Sequence, residues 1–303
     1  MKKNLVDKGT LIKIFKDRVL FDISAKSLTS FKTGGILPVV VFPSKKQEIE
    51  FLLSLKKEGI SIKFLGAGSN VLVSDDGFDG IIASTKNFSG VKYQDGVLSA
   101  LAGTKVNNVI GYCVRNHLTG LEFLAGIPGT IGGCLIMNAG IKNKSISDVV
   151  GIVEYMNYEG KWIKEKKENL LWKYRYSQLK EKSFFIFSCT LKVEVGNKDT
   201  IRQSIANIMQ KRRISQPLEY PSAGSVFKNP PDHYAGKLIE QAGLKGYRIG
   251  DAAISEKHAN FIVNLGKATS SDIWKIICHI QETVKKQYNI YLETEIEIIG
   301  RFS

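Results

Sequence analysis

The chain reads as an α+β protein of at least two domains that divide near residue 197. Three observations predict this. Strand-like and helix-like segments alternate along the whole sequence, without the strict βαβ rhythm of a doubly wound sheet. The length of 303 residues exceeds the ~100–200 of an ordinary domain. Gly196-Asn197-Lys198-Asp199 is a polar cluster set between a long β-prone run and a helical pattern.

The elements follow in order. Val39 to Phe42 is β-prone and ends at Pro43-Ser44; Ser44 is expected to cap a helix over residues 45–58, with Gly59 as its stop. Ile62 to Leu65 reads as a strand that runs into Gly66-Ala67-Gly68-Ser69-Asn70, with further strands near 71–73 and 80–84. Gln94-Asp95-Gly96 turns between strands near 91–93 and 97–101. Thr104 is expected to cap a helix that presents Val106, Val109, Ile110, Cys113 and Val114 on one face. Glycine-rich sequence fills 120–140, and a hairpin follows near 152–164 with its turn at Glu159-Gly160. Phe184 to Val195 reads as a long strand. Ile201, Ile205, Ile208 and Met209 then mark a helix, as do Ile273, Ile276, Ile277, Ile280 and Val284, and a strand at 291–299 closes the chain.

Composition excludes several classes. Hydrophobic residues at 43% and charged residues at 24% fit a globular chain and exclude a disordered one. No apolar run reaches about 18 residues, so no membrane partner is expected. The start, Met1-Lys2-Lys3-Asn4-Leu5, lacks an apolar leader core, and a cytoplasmic address is expected. The cysteines at 113, 134, 189 and 278 form no CxxC pair and HExxH is absent, so no metal site is expected; buried free thiols are the favoured reading. Lys and Arg exceed Asp and Glu by 43 to 29, a net charge of +14 that suits anionic partners. No zinc-finger or RNA-binding signature accompanies it, so nucleic acid is not the expected partner.

Chemistry concentrates in a few segments. Gly66–Asn70 follows a strand and can turn several backbone N–H groups into one concavity; Val71 stands where GxGxxG needs glycine, so this is not a dinucleotide fingerprint. Gly126-Ile127-Pro128-Gly129-Thr130-Ile131-Gly132-Gly133 packs four glycines into eight residues, with Asn138-Ala139-Gly140 close behind. Ordering such a loop costs backbone entropy, which close approach to a pyrophosphate or flat ring offsets. In Ala223-Gly224-Ser225-Val226-Phe227-Lys228-Asn229-Pro230 a glycine frees the backbone beside a serine, with donors following. Tyr174-Arg175-Tyr176-Ser177 sets an arginine between aromatics, where an ordered guanidinium can hold a carboxylate. Glu293 and Glu295 alternate on one face of the closing strand.

These segments, in this order, resemble the flavoprotein UDP-N-acetylenolpyruvoylglucosamine reductases of peptidoglycan synthesis. The likeness extends from Thr29-Ser30-Phe31-Lys32-Thr33-Gly34-Gly35 to Ile299-Gly300 and includes Ser255-Glu256-Lys257-His258-Ala259-Asn260-Phe261. It implies an FAD-binding region of the vanillyl-alcohol-oxidase type over 1–197 (core about 30–197), followed by a substrate domain over 198–303. It implies that NADPH, as co-substrate, reduces non-covalent FAD, which then reduces the enolpyruvyl ether of the UDP-sugar to give UDP-N-acetylmuramic acid. Arg175, Ser225 and Glu295 match the family's catalytic positions. The resemblance implies that Thr33, Gly34, Gly66, Ala67, Gly68, Ser69, Asn70, Gly126, Ile127, Pro128, Gly129, Thr130, Gly132, Gly133, Asn138 and Ala139 bind the cofactor. Tyr174, Lys228, Asn229 and one arginine of Arg212 and Arg213, taken as Arg213, would meet the substrate.

Two departures stand out. Gly250-Asp251-Ala252-Ala253 replaces the family's usual Gly-Gly-Ala stretch, and Asp251 would be unwelcome near an anion unless it points away. The chain is also of the short subgroup, lacking an extra substrate-covering segment. His258 is expected to be structural, and the protein a monomer. The competing readings are an FAD-dependent oxidase of the same cofactor fold and a non-catalytic basic binding module.

Overall fold

The structure, a computed structural model, describes residues 6–141 and 144–302. Residues 1–5, read above for a leader, lie outside this range. The chain forms two compact units. One holds the residues up to Leu20, Val39–Ala67 and Gly80–Lys211; the other holds Phe21–Pro38, Gly68–Asp79 and the chain from Arg212 onward. Thus residues 21–38 and 68–79, expected in the N-terminal region, cluster with the C-terminal segment instead.

The first unit is built on two sheets. In one, the strand ending at Val41 pairs in parallel with Ile81–Ser84, which pairs in parallel with Ile62–Leu65. The helix Lys46–Lys57 connects two of these strands and buries Ile49, Leu52, Leu53 and Leu55. The other sheet is antiparallel, in the order Trp162–Lys166, Val150–Asn157, Ser183–Lys192, Val97–Leu101, Val91–Gln94. Its inner face meets the helix Val106–Arg115, whose Val106, Val109, Ile110 and Cys113 join Leu98, Val150 and Val153 in one buried cluster. The alternation of buried and exposed residues along 97–101 follows from the two-residue period of a strand.

The second unit centres on the helix Ser270–Tyr288. Its buried Ile273, Ile276, Ile277, Ile280 and Val284 pack with Phe31, Leu72, Phe227, Ile254 and Leu292. Each such side chain contributes about 1.5–3 kcal/mol on burial. A small antiparallel sheet of Arg248–Ile249, Ala252–Ile254 and Ile262–Asn264 lies in the same unit. Val71–Val73 pairs in parallel with Glu297–Ile299, so the glycine loop before Val71 is held beside the last strand.

Three local expectations are corrected. Ser44 is not the helix cap: the helix starts after Lys45, and Glu48 reaches back to accept the Ser44 and Lys45 N–H groups at 2.7 and 3.3 Å. Glu48 also binds Arg18 through two bonds of 2.8 and 2.5 Å. Burial raises the Glu48 pKa, but Arg18 and these amides outweigh it and hold the carboxyl below its usual range. Thr104 does not cap either; its hydroxyl bonds both the N–H and the C=O of Gly90 at 2.9 and 3.0 Å. The closing strand is regular only over Glu297–Ile299.

The helix Ser270–Tyr288 has a second source of N-terminal support besides Thr269. Asp75, distant in sequence, accepts the N–H groups of Ser270 and Ser271 at 3.0 and 2.8 Å. Burial raises its pKa, but these amides and the Ser271 hydroxyl lower it further, so the net shift is downward. A depressed carboxylate stabilises the fold above its unfolded pKa and loses that effect as pH falls through the folded value. Asp75→Asn is therefore expected to cost about 1 kcal/mol near neutral pH. Urea unfolding of both proteins should show the difference shrinking as pH falls below the ordinary aspartate range.

Candidate functional site

Arg175 sits at the tip of a tight hairpin. Trp172–Lys173 pairs with Tyr176–Ser177, which leaves Tyr174 and Arg175 as the two turn residues. Arg175 takes a left-handed backbone, φ 53°, uncommon for a residue with a long side chain and a cost of about 1–2 kcal/mol. Its guanidinium lies 5.2 Å from the Tyr174 ring centre and donates to the Gly140 carbonyl at 3.4 Å. Asn138 fixes this hairpin. It ends the helix Ile131–Met137 in a left-handed conformation, donates to the Lys173 carbonyl at 3.0 Å and accepts the Ser147 N–H at 3.2 Å. Both ends of its carboxamide are thus spent on protein groups, and it shapes the segment that carries Arg175.

Ser225 and Glu295 belong to the other unit, on paired segments. The Glu295 N–H donates to the Val226 carbonyl at 2.7 Å, and the Lys228 N–H donates to the Glu293 carbonyl at 2.9 Å. Phe227 and Thr294 form an antiparallel bridge between them. Ser225 is therefore one residue from the point where its strand meets Glu295. The Asn70 carboxamide donates to the Glu295 carbonyl at 3.1 Å, and the Glu297 N–H donates to the Asn70 carbonyl at 2.9 Å. The Glu295 main chain is tied on one side to the serine segment and on the other to the glycine loop. Of the two glutamates, Glu295 is half-buried, whereas the Glu293 side chain is 68% exposed and pairs with Lys228 at 2.5 Å.

The glycine segments offer hydrogen-bond donors. Among the described residues, the N–H groups of Gly66, Ala67, Gly68, Gly126 and Gly129 meet no protein acceptor. The Thr33 hydroxyl is buried and has no partner among the described residues. Such donors suit the phosphates and polar edges of FAD. The N–H groups of Ile131, Gly132 and Gly133 differ: they donate to Thr104, Ala102 and Thr130 at 2.9, 2.8 and 3.4 Å. Gly132 and Gly133 thus serve packing through their main chain.

The remaining residues sort by surroundings. Of Arg212 and Arg213, Arg213 is exposed, whereas the Arg212 Nε and the Gln216 Oε1 are buried without partners among the described residues. Burial also lowers the Arg212 pKa. The sequence could not separate these adjacent arginines; the helix Lys198–Ser215 does so by turning one inward. Tyr174 is 54% exposed. The Asn229 carboxamide oxygen accepts the Ala235 N–H at 3.0 Å, at the first residue of the helix Ala235–Gln241. Asp251 is neutralised: it pairs with Arg248 at 2.5 Å and accepts the Lys267 N–H at 2.9 Å. His258 accepts the Asn260 N–H on Nδ1 at 3.3 Å, and burial pushes its pKa down, so it stays uncharged near neutral pH. Cys113, Cys134 and Cys189 are buried free thiols, the first two pushed up to about 12 by burial; Cys278 is half-buried.

Residues 37–165 match the family described as FAD binding domain, and residues 216–299 match that described as UDP-N-acetylenolpyruvoylglucosamine reductase, C-terminal domain. A UDP-N-acetylenolpyruvoylglucosamine reductase of Caldicellulosiruptor saccharolyticus is 42% identical over 96% of this chain and 93% of its own length. One from Caldanaerobacter subterraneus is 40% identical over 99% of both chains. The crystal structure of UDP-N-acetylenolpyruvylglucosamine reductase from Thermus caldophilus aligns with a TM-score of 0.80 at 32% identity, covering 93% of this chain and 99% of that one.

Two glycines separate strain from steric exclusion. Gly68 has φ +64°, and a Cβ there would lie 1.8 Å from the Leu28 carbonyl oxygen. Gly224 has φ +74°, but nothing lies within 4 Å of its added Cβ. Gly224→Ala is expected to cost about 1–2 kcal/mol from conformation alone. Gly68→Ala should cost distinctly more, since backbone must move as well. Chemical denaturation of the two variants against the parent measures the gap.

Proposed function

Because the chain belongs to the UDP-N-acetylenolpyruvoylglucosamine reductase family, and so is an FAD-binding oxidoreductase, we propose that it spends NADPH to reduce the enolpyruvyl ether of that UDP-sugar. The product is UDP-N-acetylmuramic acid, made in the cytoplasm for peptidoglycan. The observation that carries the residue assignment is the pairing of the Ser225 segment with Glu295. It sets a hydroxyl and a carboxyl group on neighbouring strands, as protonation of a carbon that carries a carboxylate requires.

FAD, when bound, would supply the hydride, with NADPH as its source. The residues of this chain do the rest. Hydride arrival at the terminal carbon of the double bond leaves negative charge on the neighbouring carbon and its carboxylate. Arg175 is assigned to that carboxylate, where a preorganised guanidinium stabilises developing charge better than water does. Its left-handed turn and the Asn138 tie restrict the tip before substrate arrives. Ser225 delivers the proton to the carbanion-like carbon. A serine is a weak acid, but that centre is a strong base, and positioned proton transfer contributes about 10²–10⁴-fold. Glu295 is assigned to the same carboxylate in its protonated form, because like charges side by side favour protonation.

The cofactor reading rests on the glycine-loop N–H groups and the buried Thr33 hydroxyl. The main chains of 66–70 and 126–130 would hold the FAD diphosphate, non-covalently. Lys228, Tyr174 and Arg212 are assigned to the UDP-sugar, with Arg212 preferred over Arg213 for its buried guanidinium. The net charge of +14 suits a chain whose three ligands are polyanions. Among the described residues, no helix is long and apolar enough to cross a membrane.

An anaerobic visible spectrum tests the reading. NADPH should bleach the flavin bands, and the enolpyruvyl UDP-sugar should restore them. A protein that takes up no FAD, or a reduced flavin that ignores the sugar, contradicts it. Arg175→Lys should reduce normally but reoxidise about 100-fold more slowly or worse, since an ammonium cannot reproduce the guanidinium fork. Near-normal turnover would remove Arg175 from the chemistry.

A further inference from the structure

The segment Ser255–Phe261 resembles a family motif, yet nothing above gives it a part in the reaction. Within it, Asn260 is 4% exposed and makes an unusual set of bonds. Its side-chain oxygen accepts the Phe227 N–H at 2.9 Å, and its side-chain nitrogen donates to the Phe227 carbonyl at 2.8 Å. Its own main-chain carbonyl accepts the Val226 N–H at 2.9 Å. The carboxamide thus acts as one residue of a third strand. It pairs Phe227 from the edge opposite Glu293 and Glu295.

We propose that Asn260 is the positioning residue of the proton donor: it fixes the main chain of Ser225–Phe227 so that the Ser225 hydroxyl is presented at a constant place relative to Glu295. This rests on the reading of Ser225 given above. The Val226 N–H belongs to the peptide that begins at the Ser225 carbonyl, so Asn260 holds the residue's own peptide plane. The next carbonyl is held by the Glu295 N–H at 2.7 Å. Asn260 is in turn held. His258 accepts its N–H, and an added Cβ on Gly236 would lie 3.6 Å from its Cβ, so the helix Ala235–Gln241 packs directly against it. Catalysis is sensitive to such placement: a misplacement of about 1 Å costs about 100-fold.

Asn260→Leu keeps the branched skeleton, with bulkier methyl groups in place of the amide O and NH2, and removes the pairing, leaving a buried N–H and C=O without partners. Asn260→Asp supplies an internal control. An ionised carboxylate accepts from the Phe227 N–H but repels its carbonyl. A protonated one donates and accepts as the carboxamide does. Burial should raise the pKa of that new acid. The groups that also titrate nearby are His258, Lys228, Glu293 and Glu295, with Glu240 and Lys245 acting on His258. Dividing each variant's rate by the wild-type rate at the same pH cancels them.

The experiment is anaerobic stopped-flow on the FAD-loaded wild type, Asn260→Leu and Asn260→Asp. It follows flavin bleaching by NADPH and recovery with the enolpyruvyl UDP-sugar, together with amide hydrogen exchange of Val226, Phe227 and Glu295. Both variants should be reduced at the wild-type rate, reoxidise about 10–100-fold more slowly and lose exchange protection at Phe227. Reoxidation of Asn260→Asp should recover relative to wild type between about pH 8 and about pH 5.5, and that of Asn260→Leu should not. Wild-type reoxidation in either variant, equal loss of both half-reactions, or no recovery of the aspartate variant at low pH overturns the assignment. A wild-type protein that is reduced but ignores the sugar overturns the functional reading itself, and the role of Asn260 with it.

Discussion

The antiparallel pairing of residues 226–228 with 293–295 is the constraint on which the site in the second unit depends. Two segments about seventy residues apart meet through the Glu295 N–H on the Val226 carbonyl and the Lys228 N–H on the Glu293 carbonyl. The pairing is short, and a short pairing of this kind is weak on its own. Side chains extend it at both edges. Asn260 completes the serine strand, and Asn70 completes the glutamate strand. Buried main-chain groups need partners, and here two carboxamides supply what regular strands would otherwise provide. Phe227 and Leu292, fully buried on these segments, anchor them to the helix Ser270–Tyr288.

The first unit treats Arg175 in a comparable way. An arginine in a left-handed turn is a strained choice, and the turn holds because the surrounding structure over-determines it. The strand pair on either side sets the hairpin, and Asn138 bonds the carbonyl of Lys173 just before the tip. In both units an asparagine side chain bonds main-chain groups beside the residue proposed above for the chemistry. Charge is arranged in the same spirit. Asp251, at odds with an anionic substrate on sequence grounds, is absorbed by Arg248 and the Lys267 N–H. Lys228 is paired with the exposed Glu293, a contact whose screening leaves the lysine able to exchange partners.

Much of this was legible from residue order alone. The helix periodicity at 273–284, the hairpin turning at Glu159-Gly160 and the strand at 62–65 each reflect local rules, and the structure contains them. The capping assignments at Ser44 and Thr104 failed because a distant or inward-facing partner was stronger than the local one: Glu48, already oriented by Arg18, takes the first amides, and Gly90 takes the threonine hydroxyl. The grouping of 21–38 and 68–79 with the C-terminal segment depends on pairings such as Val71–Val73 with Glu297–Ile299, which leave no short-range trace. Asn260 was visible as a letter in a motif, but its task is set by Phe227, thirty-three residues earlier. Arg212 and Arg213 were indistinguishable until the helix phase was known.

Ser225, proposed above as the proton donor, is carried by a strand whose main chain is bonded on both edges. Ser225→Ala removes one oxygen from a half-buried site and leaves every main-chain bond of that strand available, so it separates the chemistry from the scaffold. The measurement is the rate at which the NADPH-reduced flavin of this variant is reoxidised by the enolpyruvyl UDP-sugar, with sugar binding followed in the same experiment. Reduction at the wild-type rate, intact sugar binding and reoxidation slower by about 10²–10⁴-fold are expected. Reoxidation near the wild-type rate, or an equal loss of both half-reactions, would contradict that proposal.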